Sequence, residues 1–175
     1  MTKLPAPLAL ALAALVITAA ICDLRTRRIP NTLVVTGAIA GLALNLWQLG
    51  GLALMQSLAG LFFGLLIFLP IFALGGMGGG DVKLMGAIGA LVGLWNFRAV
   101  FVFIAISGGI MALAMLWYKG ELRTAFKNIG FILNELAHGR APHKKRPDLT
   151  IDSKRSIKLP YAVPMAVGCL VFLSL

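Results

Sequence analysis

The sequence predicts an all-α polytopic membrane protein, with about six transmembrane helices and a cytoplasmic amphipathic segment. Three observations lead there. Of the 175 residues, 59% are hydrophobic, and mean hydropathy is +0.93. Only 13% are charged, where a soluble domain of this size carries about a quarter. The charges are also clustered, leaving apolar runs of about 17 residues or more, the length a bilayer-spanning helix needs. The whole chain, 1–175, reads as a single membrane-embedded domain, with no room for a separate soluble one.

The expected spans are 4–22, 32–49, 52–74, 82–97, 99–118 and 159–175. The first could be mistaken for a cleaved leader. Its basic cluster follows the apolar stretch instead of preceding it, however, and Ile21 stands where a lipoprotein cleavage site before Cys22 would want a small residue. It is read as a retained helix. Gly50 and Gly51 separate the second and third spans as a tight hairpin. The fourth is short, about 24 Å at 1.5 Å per residue. Its Gly86, Gly89 and Gly93 suit close helix packing.

Between the fifth and sixth spans lies the one extended polar stretch, 119–158. Glu121, Leu122, Phe126, Ile129, Ile132, Leu133 and Leu136 recur at roughly helical spacing, which predicts an amphipathic helix on the membrane surface. The following "HGRAPHKKRPDLT" reads as an exposed basic loop drawn to anionic headgroups. His138 and His143 in this region lack the further ligands a metal site needs. Cys22 and Cys169 lie in apolar segments and form neither a disulfide framework nor a metal-ligand pattern. No metal and no cofactor are expected.

The net charge of +10 would suggest nucleic acid in a soluble protein. In a membrane protein it sets orientation instead, because Lys and Arg collect in cytoplasmic loops. If six spans alternate, Arg25, Arg27, Arg28, Lys83 and the ten basic residues from Lys119 to Lys158 share one side, and Lys3 and Arg98 the other. That places both termini outside the cytoplasm, and no nucleic-acid partner is expected.

Of the six acids, four belong to the polar loop. Asp23 ends the first span and Asp81 opens the fourth, so both fall at the cytoplasmic boundary. Taken singly, Asp23 could pair with Arg27 four residues on, and Asp81 could cap its helix. Taken together they form a candidate catalytic pair, because Gly78, Gly79 and Gly80 precede Asp81. Such backbone can receive an extended peptide and present a carboxylate to it. Two carboxylates in one site share a proton: one activates water, the other polarises a peptide carbonyl. Ser57, Ser107 and Ser174 have no histidine near them in sequence to make nucleophiles of them.

"DLRTRRIPN" after the first span and "GGGDVKL" before the fourth resemble the paired signatures of type IV prepilin peptidases, membrane aspartic proteases of the G-x-G-D class. "KLPYAVPMAVG", 158–168, is similar to the motif that opens that family's last helix. The resemblance implies Asp23 and Asp81 as catalytic residues. Gly78, Gly79, Gly80, Lys83, Pro30 and Asn31 are expected to position substrate or loop, with Asn31 also read as a helix cap and Lys83 as meeting headgroups or balancing local charge. It further implies cleavage of the basic leader of prepilins or pseudopilins at the cytoplasmic face of a bacterial inner membrane, with lipids and pilus or secretion machinery as partners.

The sequence departs from the family's bifunctional members. Only a handful of residues separate Asp23 from the second span, and no Cys-x-x-Cys occurs, so methyltransferase activity is not expected. The short form resembles the peptidases of tight-adherence (Flp-type) systems and, next, archaeal preflagellin peptidases. A transporter would be expected to bury its acids near mid-membrane, and a structural secretion subunit would need no acid pair.

Overall fold

The computed structural model describes residues 3–73, 77–120 and 160–175, and all its elements are helices. They are α1 (Ala6–Thr26), α2 (Asn31–Leu49), α3 (Gly51–Ala73), α4 (Gly79–Tyr118) and α5 (Ala162–Ser174). The first four are long and apolar enough to cross a membrane, while α5 is shorter. The amphipathic helix expected within 119–158 and the basic loop lie outside the described residues, apart from the turn at Lys119 and Gly120 that follows α4. Residues 3–108 and 160–175 belong to one compact unit; a second takes in 109–120, where α4 runs on to an exposed Trp117 and Tyr118.

α1 buries Leu8, Leu12, Leu15, Val16, Ala19 and Asp23. Their spacing is one stripe of a 3.6-residue helix, and Asp23 occupies its next step. The first helix therefore runs a turn further than its apolar stretch, to Thr26, and turns its carboxylate inward.

The largest departure from the sequence expectation concerns 82–97 and 99–118. Two helical segments are present, but they part at Gly93, whose φ of 71° and ψ of 164° are non-helical, and not at Arg98, so α4 is a pair of helical arms. Before the break, Gly89 meets Gly60 and Met85 meets Gly64, so this arm runs antiparallel to α3. After it, Phe97 packs on Phe63 and Phe101 on Phe68, with centroids 6.0 and 5.9 Å apart, so the second arm runs parallel to α3. The chain thus doubles back at Gly93. Arg98 sits inside the second arm, its guanidinium 4.3 Å from the Trp95 ring centroid, an arrangement that suits a cation near a membrane boundary.

The first arm of α4 is the centre of the unit: every residue from 84 to 93 is buried. Its neighbours approach to backbone contact. A Cβ on Gly60 would lie 2.3 Å from the Gly89 carbonyl oxygen, so only glycine allows this crossing. The last carbonyls of a helix lack N–H partners, and in an apolar interior they must find them elsewhere. Asn45 of α2 donates from Nδ2 to Ala90 O (3.1 Å) and Leu91 O (3.3 Å), and the Ser57 hydroxyl of α3 also donates to Ala90 O. Both side chains are buried. They cap the break from outside the helix; further along the second arm α5 packs in, with Gly168 against Ile104 and Pro164 O accepting from Ser107 at 2.7 Å.

Candidate active site

α1 ends by a sharp corner. Arg27 adopts the left-handed conformation (φ 53°), its N–H bonding to Asp23 O at 2.9 Å. Such a φ is uncommon outside glycine. Here Thr26 supports the corner, its hydroxyl lying 2.9 Å from Cys22 O and 3.1 Å from Arg28 O. The chain then passes through Arg28, Ile29 and Pro30 into α2, four residues after α1 has ended.

A cavity of about 310 Å³ lies at this corner, lined by Asp23, Arg27, Arg28, Ile29, Asn31, Gly78, Gly79, Gly80 and Asp81. Both aspartates therefore share one space, and the Asp23 charge acts electrostatically on Asp81. Asp23 is 7% exposed. The N–H of Ala162, the first residue of α5, donates to its Oδ2 at 3.3 Å. Asp81 stands in the first turn of α4, where its Oδ2 accepts the Gly78 N–H at 3.2 Å and its own N–H donates to Gly78 O at 3.1 Å. The side-chain bond is half of a capping box, the half an acid at the third helical position supplies; the other bond is backbone to backbone, since Gly78 has no side chain. The carboxylate caps its helix and faces the cavity at the same time, so the two readings of Asp81 are compatible.

The glycines keep the wall low. A Cβ on Gly80 would come within 3.3 Å of Ile29 Cβ, so the α4 entry lies directly against the segment that leaves α1. The result is an open, partly polar recess lined by two carboxylates that stand on different helices.

Six of the eight residues singled out from sequence line this cavity: Asp23, Asp81, Gly78, Gly79, Gly80 and Asn31. Among the described residues, Pro30 and Lys83 do not. Pro30 is the N-cap residue of α2. Asn31 is not a cap: it is the first helical residue, α2 has no side-chain cap, and Asn31 Oδ1 instead accepts a hydrogen bond from Lys83 Nζ at 2.9 Å. Lys83, expected to meet headgroups or balance local charge, thus has a protein partner on α2.

Sequence reasoning missed Arg27, Arg28 and Ile29 as cavity walls, although their place in "DLRTRRIPN" was the available signal. It also missed Ala162, for which the adjoining Pro160-Tyr161 pair was the only hint. Tyr161 lies within electrostatic reach of Asp81.

Comparison with known proteins bears on this arrangement. The model of the type IV leader peptidase family matches residues 10–116. Two proteins named "Prepilin leader peptidase/N-methyltransferase", from Burkholderia pseudomallei strains 1026b and K96243, are each 31% identical over 107 residues. The match covers 58% of this chain and 34% of each relative, so the chain matches about a third of their length. No solved structure matches.

Proposed function

The chain belongs to the type IV leader peptidase family, and from that premise we propose that it is a membrane aspartic endopeptidase that removes the basic leader of prepilins or pseudopilins. The observation that carries the reading is the cavity shared by Asp23 and Asp81 beside the 78–80 glycines.

The chemistry follows from the pair. Two carboxylates in one site do not both ionise readily, and together they hold one proton. The ionised partner takes a proton from water as that water attacks the scissile carbonyl carbon. The protonated partner donates to the carbonyl oxygen, giving a neutral tetrahedral diol. Its collapse returns a proton to the leaving amine, breaks the C–N bond and restores the shared proton. The extended substrate backbone lies along the glycines, which present no side chains to it.

Position supports the substrate class. The dyad sits at the ends of apolar helices, where a leader outside the bilayer joins an apolar helix within it. The positive-inside asymmetry to which Arg25, Arg27, Arg28 and Lys83 belong supports a cytoplasmic site with both termini opposite. Methylation is not part of the proposal: α1 and α2 are joined by residues 27–30, which leave no space between them for an inserted domain. Pilus or secretion assembly components are the expected wider partners, and neither cofactor nor nucleic acid is invoked.

The test is purified protein in lipid vesicles with a peptide whose lysine-rich leader precedes an apolar helix. Cleavage at the junction, identified by mass, is expected. A protein that moves solute across the vesicle and leaves the peptide intact would instead be a transporter.

A further inference from the structure

We propose that Lys83 and Asn31 are a positioning pair that holds the turn carrying Asp81 against the segment leaving Asp23; the proposal rests on the dyad reading above.

The two aspartates are held differently. Asp23 lies in the last turn of a regular helix and accepts a hydrogen bond from the amide of Ala162, on another helix. Asp81 follows three glycines, the backbone with the least stiffness of its own, and its hydrogen bond to Gly78 stays within the same turn. That bond stabilises the turn but cannot fix where the turn lies. Two described contacts reach from this turn to the other side of the cavity. One is the packing of Gly80 on Ile29. The other is the 2.9 Å hydrogen bond from Lys83 Nζ to Asn31 Oδ1, across 52 residues. Through Asn31 the tie runs back over residues 27–30 to the helix of Asp23.

The contact draws both residues away from their own helices. Lys83, the fifth residue of α4, sends its ammonium across to the start of α2. Asn is a preferred N-cap, yet Asn31 stands one residue past that position with its oxygen committed to Lys83. The bond is exposed, so its share of global stability is small. What it controls is the reach of Asp81 toward Asp23.

The experiment uses the full chain in vesicles of neutral lipid and in vesicles containing anionic lipid, with the lysine-leader peptide as substrate. Lys83→Met and Asn31→Ala are each expected to lower kcat by about tenfold or more, since small misplacements of catalytic groups carry costs of that size. KM should stay within about twofold, and the double variant should be no slower than either single. Asn31→Asp, which keeps an acceptor for the ammonium, should lose much less. These losses should be equal in both lipids. Wild-type kcat in both single variants overturns the proposal. So does a loss in Lys83→Met confined to anionic vesicles with Asn31→Ala unaffected, which would assign Lys83 to headgroups. Each side of the bridge has its own variant, so one that fails to accumulate leaves the other decisive. Asp81→Asn in the same assay separates the two levels: if it is inactive while the pair variants are normal, the bridge fails alone; if it is active, the dyad reading falls first.

Discussion

Ala162 and Asp23, 139 residues apart, are joined by a hydrogen bond from the backbone N–H of the first to the carboxylate of the second. The start of α5 thereby holds a carboxylate that lines the cavity, beyond simply packing beside α1. Ala162→Pro deletes the donor and should lower kcat/KM about tenfold to a hundredfold, because a hydrogen bond to a charged group contributes about 1.5–3 kcal/mol. Ala162→Gly keeps the N–H and should lose far less. Equal losses in the two would show that the side chain, and not the amide, matters.

The caps on the Gly93 break should be matters of stability. Asn45→Leu leaves the Ala90 and Leu91 carbonyls short of a donor and should destabilise the fold by about 1 kcal/mol, the scale of a polar contact inside a membrane bundle. Unfolding in mixed detergent micelles would measure it, and cleavage per folded molecule should remain normal.

Backbone contact between α3 and α4 leads to a harsher outcome. Gly89→Val should prevent the helices from meeting, since even a Cβ would fall 2.1 Å from Gly60 O. The protein should fail to accumulate in the membrane. Normal abundance, read by immunoblot, would mean that α3 and α4 are not crossed at this pair.

Orientation is open to labelling. A cysteine introduced at Lys3 should react with an impermeant reagent applied to intact cells, and one at Lys145 should react only after lysis. The opposite pattern would put the dyad on the wrong face for cytoplasmic leaders.

Much of this site was legible because charge is expensive in a membrane. With two acids outside the polar loop, Asp23 and Asp81 stood out as a pair even though each had a structural reading of its own, and the glycines before Asp81 marked the space beside it. The rest is tertiary. Asn96 and Arg98 drew the expected boundary to themselves as polar residues, yet the reversal came at Gly93. Its glycine tolerates a positive φ, and Asn45 and Ser57, distant in sequence, supply the missing donors; Arg98 is accommodated on Trp95. Asn31 looked like a cap from its neighbours alone, and only the approach of Lys83 gives its oxygen another use. Likewise, Pro160-Tyr161 hints at a motif there, but not that the backbone amide of Ala162 will meet Asp23.

The central claim is that Asp23 and Asp81 act as one catalytic unit, and its most direct measurement is the fraction of co-expressed prepilin processed by Asp23→Asn, Asp81→Asn and the double variant, alongside membrane abundance. Asn preserves size but cannot cycle a proton, so each single change should abolish processing at normal abundance, the double should be scarcely worse, and Glu121→Gln or Asp148→Asn should process normally. Wild-type processing by Asp81→Asn at wild-type abundance would contradict the account.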